Sequence, residues 1–185
     1  MPLIASTAGT AFIRTPAPAF ITAFGQRIDQ GLLGRTRGRR NAYRVAHSGA
    51  DRLRFEAANA WTAFNVGLND VELVVGSSGS VRYSIRYDRW ARSAVFYSGI
   101  LGLILIAFFL GYDVRAYLER HPSAQVPGLS IGQNLAIGWV MAIFWGFVWP
   151  WILIVLHRKP LRRLLEQLIA EVDGAAAQSA RRAGT

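Results

Sequence analysis

Cysteine is absent from the 185 residues. That excludes disulfides, thiolate metal sites, iron–sulfur clusters and cysteine nucleophiles. Charge is scarce as well: 17% of the residues are Asp, Glu, Lys or Arg, against about 25% in a soluble domain. Carboxylates are the scarcer sign, 11 against 21 bases, for a net charge of +10. Lysine is nearly missing, since every base except Lys159 is arginine; a GC-rich genome would give that bias as readily as a function would. The histidines are His47, His121 and His157. They fall in three separate regions, too far apart to share one metal.

The missing charge is missing from two places. Between Arg92 and Asp113 runs SAVFYSGILGLILIAFFLGY, and a second stretch without formal charge lies between His121 and His157. About 20 apolar residues at 1.5 Å each cross a hydrocarbon core, and a soluble domain this small could hardly bury two such segments. The expected fold is therefore an α+β membrane protein. It comprises a two-helix transmembrane hairpin, a small β-rich cytoplasmic domain before it and an amphipathic C-terminal helix after it. The expected boundaries are residues 91–112 and 135–157 for the two spans, with 113–134 as the loop between them.

Flanking charge sets the expected orientation. Arg82, Arg86, Arg89 and Arg92 precede the first span, and His157, Arg158, Lys159, Arg162 and Arg163 follow the second. The connecting loop carries Asp113, Arg115, Glu119 and Arg120, which cancel. Bases collect on the cytoplasmic side, so both termini are expected there, with the loop periplasmic in a bacterial inner membrane. The start, MPLIASTAGTAF, lacks the basic region and apolar run of a signal peptide.

Small residues recur every four positions in both spans: Ala94, Ser98 and Gly102 in the first, Gly138, Ala142 and Gly146 in the second. Such stripes allow close helix approach and are expected to face each other or a partner helix. Trp139, Trp149 and Trp151 fit membrane interfaces, together with Arg89, Arg92, His157, Arg158 and Lys159. Trp145 lies deeper and is expected to meet protein or a lipid-like ligand. Pro150 should free the Gly146 carbonyl and kink the helix.

Outside the spans, Val81, Tyr83, Ile85 and Tyr87 alternate with polar residues, as do Leu53 and Phe55. That period of two predicts strands. Residues 71–75 and 43–47 are further strand candidates, with a turn over 76–79. Residues 42–90 then form a β-rich domain with a thin core. Residues 1–41 read as an extended arm. It includes a short helix carrying Phe20, Phe24, Ile28 and Leu32, then a basic run, Arg35, Arg37, Arg39 and Arg40, suited to an anionic membrane surface or a partner. Residues 158–185 read as an amphipathic helix starting near Pro160, with Leu161, Leu164, Leu165, Leu168, Ile169 and Val172 as its apolar stripe, and a mobile tail from Gly174.

Chemistry-bearing motifs are lacking. The Gly76-Ser77-Ser78-Gly79 turn has no Lys-Ser/Thr after it and is no phosphate loop. The spans hold no carboxylate, against a proton path or coupled transport. No catalytic, metal or cofactor residue is assigned. The expected function is a non-catalytic accessory subunit that packs against a larger membrane complex, with energy-transducing (photosynthetic or respiratory) assemblies as the host class. Its expected contacts are other membrane subunits and anionic phospholipids, with lipid or a neighbour's pigment touching the hairpin and no nucleic acid. The alternative is a membrane-anchored module whose basic domain recognises anionic lipid or a cytoplasmic protein. A lipid-active enzyme would need a cavity gathering two or more of Arg86, Asp88, His157 and Arg158.

Overall fold

In the computed structural model, residues 5–32 and 42–183 are described. The chain divides into two compact units, Met1–Arg92 with Leu156–Thr185, and Ser93–Val155.

The first unit is built on one antiparallel sheet. Its strands are β1 (Ser6–Phe12), β2 (Tyr43–Ser48), β3 (Arg52–Ala57), β4 (Asp70–Val75) and β5 (Ser80–Arg86), in the order β1-β5-β4-β3-β2. Alternation decides the faces. Leu53, Phe55, Val71, Leu73, Val81, Tyr83 and Ile85 are all buried, while their neighbours Arg44, Arg52, Arg54, Arg82 and Arg86 are exposed. Two helices pack on the apolar side, α1 (Ala17–Asp29) and α7 (Arg158–Ala183). A short α2 (Ala60–Val66) joins β3 to β4. It is capped by the Asn59 side chain, which accepts from the Thr62 backbone N–H at 2.7 Å, and stopped by Gly67 in the left-handed region.

Both amphipathic segments end up in this core. Phe20, Phe24, Ile28 and Leu32 are at most 2% exposed, and Leu161, Leu165, Leu168, Ile169 and Val172 at most 4%. Phe24 meets Phe55 with ring centroids 5.8 Å apart. Burying each such side chain contributes about 1.5–3 kcal/mol. The apolar face of α1 is therefore covered by its own domain, not by a membrane surface, and α7 docks on the sheet and on α1. This corrects the expected layout in three ways. The segment ahead of residue 42 supplies an edge strand and a core helix where a separate extended arm was expected. The thin core is completed by β1, α1 and α7. The last helix starts at Arg158, not Pro160, and continues through Gly174 to Ala183. The basic run Arg35, Arg37, Arg39 and Arg40 lies outside the described residues.

Polar contacts fasten α7 to the strands. The Tyr83 hydroxyl donates to Glu166 and receives the Arg162 Nε–H at 3.4 Å. Burial, reinforced by the Glu166 carboxylate, raises the Tyr83 pKa above its ordinary value. Gly9 on β1 makes room for that ring. Beyond β1, the backbone N–H groups of Arg14 and Thr15 donate to the Asp173 carboxylate at 2.9–3.1 Å.

The second unit holds most of α3 (Asp88–Gly111), then α4 (Val114–Arg120), α5 (Ile131–Ile143) and α6 (Trp149–Leu156). Two helical runs are long and apolar enough to cross a membrane, α3 and the run beginning at Ile131; of the most apolar stretch of α3, 6% is buried. Phe96, Leu103, Ile104, Leu110 and Val140 are exposed. The connecting residues are ordered by side-chain caps. Asp113 caps α4, and Ser130 with Gln133 forms a capping box at the start of α5. Between α5 and α6 the helix widens into a π turn over Phe144–Val148, where the Trp149 N–H donates to the Phe144 carbonyl. Pro150 explains it. The ring cannot donate and would press on the Gly146 carbonyl, and a wider turn relieves both.

Two outcomes follow for the folded unit. Leu165→Ala costs about 2–5 kcal/mol, while Gln167→Ala at an exposed position of α7 is close to neutral; thermal unfolding of the full chain in mild detergent measures both. For Asp173, burial raises the pKa, but the hydrogen bonds from Thr15 and Arg14 outweigh it and hold the carboxyl below its ordinary value. A depressed folded pKa gives stability that is present above the unfolded value of about 4 and is lost as pH falls through the folded value. Asp173→Asn is therefore less stable than the parent at pH 7, and the gap closes as the pH is lowered towards 3.

Candidate functional site

Small residues let the two apolar helices touch backbone to backbone. A Cβ on Gly102 would stand 2.7 Å from the Gly146 Cα, and one on Gly146 would stand 2.5 Å from the Gly102 Cα and 3.5 Å from the Ser98 carbonyl oxygen. No side chain larger than hydrogen fits at either position. One helical turn before Gly146, Ala142 is buried, and further along Pro150 and Ile154 continue the same buried stripe. Gly138 receives the Phe109 ring, which also packs on Trp139 at 5.2 Å. Ala94 is half-buried. The four-residue rhythm thus lies along the seam between the helices at Ser98, Gly102, Gly138, Ala142 and Gly146.

Phe109 and Phe147 pack at the seam, while several indoles are exposed. Trp145 is 38% exposed and meets Trp149 edge-on at 4.9 Å, while Trp151 is more than half exposed. From Ser93 to Gly111, and from Ile131 to Leu156, no side chain is ionisable apart from Tyr97. The hairpin surface offers shape and apolar area, with polarity confined to indole, phenol, hydroxyl and amide groups.

The first unit contains an aromatic joint that the sequence alone did not reveal. The rings of Trp90 and His157 stack with centroids 3.9 Å apart and planes 9° from parallel. Tyr87 packs edge-on against His157 at 6.0 Å, and its hydroxyl accepts from the Arg158 Nε–H at 3.0 Å. Gly67 closes the other side. Its φ is 81°, and a Cβ there would come within 2.5 Å of His157 Nε2. Asn69, buried, organises the region: its Oδ1 accepts from the Trp90 backbone N–H at 3.0 Å and its Nδ2 donates to the Ala63 carbonyl at 2.9 Å. The residue expected among lipid headgroups, His157, thus stacks inside the folded unit. Arg89 reaches the Ala57 carbonyl at 3.4 Å, Arg92 pairs with Asp88 at 3.2 Å, and Lys159 is exposed.

On its outer face the sheet carries a lattice of charge. Arg44 bonds Glu56 at 2.7 Å, Arg54 grips Asp70 with two bonds of 2.9 and 2.7 Å, Arg52 pairs with Glu72, and Arg86 lies 3.9 Å from Asp70. Arg82, on the same face, has no acidic partner among the described residues. Exposed pairs of this kind contribute about 0–1 kcal/mol each, so their weight is in the surface they present. Between α1 and α7 runs an open groove of about 830 Å³ lined by Thr22, Gln26, Arg27, Glu171, Ala175 and Ser179, among others. His157 and Arg158 both meet Tyr87, whereas Arg86 lies by Asp70 and Asp88 pairs with Arg92; none of the four lines the groove between α1 and α7. Among the described residues, no three of His, Asp and Glu stand close enough to hold a metal ion.

No protein-family model, no curated protein and no solved structure matches the chain. Its geometry alone carries the functional reading.

The glycine seam gives an internally controlled test. Gly99 has open space around it, whereas a Cβ on Gly146 would strike backbone that has no rotamer to yield. Gly99→Ala leaves the helix pair unchanged. Gly146→Ala costs about 1–3 kcal/mol through overpacking, read as a lower unfolding midpoint in mixed detergent micelles.

Proposed function

We propose that the chain is a two-span protein of a bacterial inner membrane that serves as a non-catalytic accessory subunit of a larger membrane assembly. One observation carries the reading. A pair of apolar helical runs, free of acids, bases and histidine from Ser93 to Gly111 and from Ile131 to Leu156, is closed within by glycine contact and presents large apolar and indole side chains outward. Such a surface suits lipid and neighbouring helices, because van der Waals packing drives helix association in a bilayer. Carboxylates, bases and histidines, which mark ion and proton paths, are absent from both runs.

The folded unit supports the topology. Arg92 and Leu156 belong to one compact body, so a hairpin between them starts and finishes on the same side. The arginines flanking it make that side the cytoplasmic one. Anionic phospholipids are the expected lipid contacts of those bases, and other membrane subunits the expected protein contacts.

A second reading is favoured by the outer face of the sheet. Five arginines stand there against Glu56, Asp70 and Glu72, so the face is basic and suits an anionic lipid surface or an acidic cytoplasmic protein. Exchange of Arg44, Arg52 and Arg54 for Gln in the full chain separates the two: the second reading expects binding to vesicles to lose its dependence on anionic lipid, whereas the accessory reading, whose lipid contacts are the bases flanking the spans, expects that dependence to stay.

The main test is purification of tagged, full-length chain from its native membranes in mild detergent. Other membrane proteins are expected to travel with it in fixed proportion. Recovery of the chain alone, or only with copies of itself, overturns the accessory reading.

A further inference from the structure

The two edges of the sheet differ. At β2 the edge is broken by a bulge between Val45 and His47 and carries Arg44 and His47. Charges, bulges and prolines are the usual means of keeping an edge from pairing with another chain. β1 has none of them. Ser-Thr-Ala-Gly-Thr-Ala-Phe runs seven residues in unbroken register with β5, uncharged and free of proline.

The ladder shows which backbone groups are available. Tyr87 N–H donates to the Ala5 carbonyl and Ile13 N–H to the Gly79 carbonyl. Direction alternates along a strand, so the odd-numbered residues turn towards β5 and the even-numbered ones away. The N–H and C=O groups of Ser6, Ala8, Thr10 and Phe12 therefore point out of the sheet edge. None of them has a hydrogen-bond partner among the described residues. The side chains of these same four residues are exposed, Phe12 at 78%.

We infer that β1 pairs antiparallel with β1 of a second copy of the chain, about a two-fold axis at Gly9, to join two sheets into one. The sequence is self-complementary in this register. Ser6 falls opposite Phe12 of the other copy and Ala8 opposite Thr10, so every outward group meets an outward group. Gly9 meets Gly9 at the close, non-hydrogen-bonded position, where the smallest side chains suit best. The chain carries a net charge of +10, so identical copies repel through most basic surfaces. β1 is a neutral strip, which favours a like copy there. Isologous contact of this kind is the commonest oligomer geometry. The inference does not rest on the accessory reading, and the two can fail separately.

The absence of cysteine allows a test of register. In this pairing residues 8 and 10 lie about 5.5 Å apart by Cα, within disulfide reach, whereas either residue lies roughly 8–9 Å from its own counterpart, beyond it. Full-length Ala8→Cys and Thr10→Cys chains, mixed in mild detergent and oxidised, are expected to give crosslinked dimer. Each alone is expected to give only a trace. Equal crosslinking in the separate and mixed samples overturns the register. Thr10→Pro removes one outward N–H and no β5 hydrogen bond, and proline is tolerated on an edge; it is expected to convert a dimeric mass to a monomeric one with the far-ultraviolet circular dichroism of the fold unchanged. Thr10→Lys, an edge charge, should do the same and serves if the proline variant fails to fold. A parent chain that is monomeric by mass in both detergent and lipid nanodiscs overturns the proposal. So does a folded variant that remains fully dimeric, or a strand from a different protein found on β1.

Discussion

The first unit depends on α7 returning to a sheet laid down by the other end of the chain. Leu161, Leu165, Leu168, Ile169 and Val172 are buried with the inner faces of strands that precede them by more than seventy residues. Without that helix, Tyr83 would lose Glu166, and the Arg14 and Thr15 backbone would lose Asp173. Ordering so long a connection carries a loop-closure cost that grows only slowly with length. A stripe of large aliphatic side chains outweighs it. The hairpin is thus an insertion into a domain: the chain leaves the first unit after Arg92 and re-enters it at Leu156.

Much of the fold was legible in sequence wherever pattern and environment coincide. Alternation marked β3 and β5, because each has one buried and one solvated face, and residues 71–75 and 43–47 were further strand candidates that became β4 and β2. Charge-free length marked the two apolar runs. β1 escaped notice because its inward residues, Thr7, Gly9 and Ala11, are small; the apolar signal at that edge comes from Tyr83 on its neighbour. The stripes on α1 and α7 were read correctly as amphipathic, and the sheet that covers both was not foreseen. Periodicity states that a face is covered and is silent about what covers it. The aromatic joint was invisible for a different reason. Gly67, Asn69, Trp90 and His157 are ordinary residues individually, and only the return of α7 brings the last of them to the others.

The molecule offers two surfaces with unlike physics. The outer face of the sheet is arginine-rich and ion-paired, so its interactions are screened by salt and sensitive to the charge of whatever approaches. The two apolar runs have apolar area and indoles and no charged side chain for salt to screen. A partner that reads one surface has little reason to read the other. The proposed pairing through β1 would place two arginine lattices side by side on one extended face and double the basic area without adding a residue.

The interrupted core also imposes an order of events during synthesis. The sheet and α1 emerge from the ribosome first, and their inner apolar face stays open until both long helices have been made and α7 follows. A chain halted anywhere before Leu161 cannot close it. Completion of the domain therefore reports that the intervening hairpin has been made and has turned back. Under the proposed two-span topology, a hairpin stranded with its ends on opposite sides of a bilayer would leave a half-built sheet with an exposed hydrophobic face.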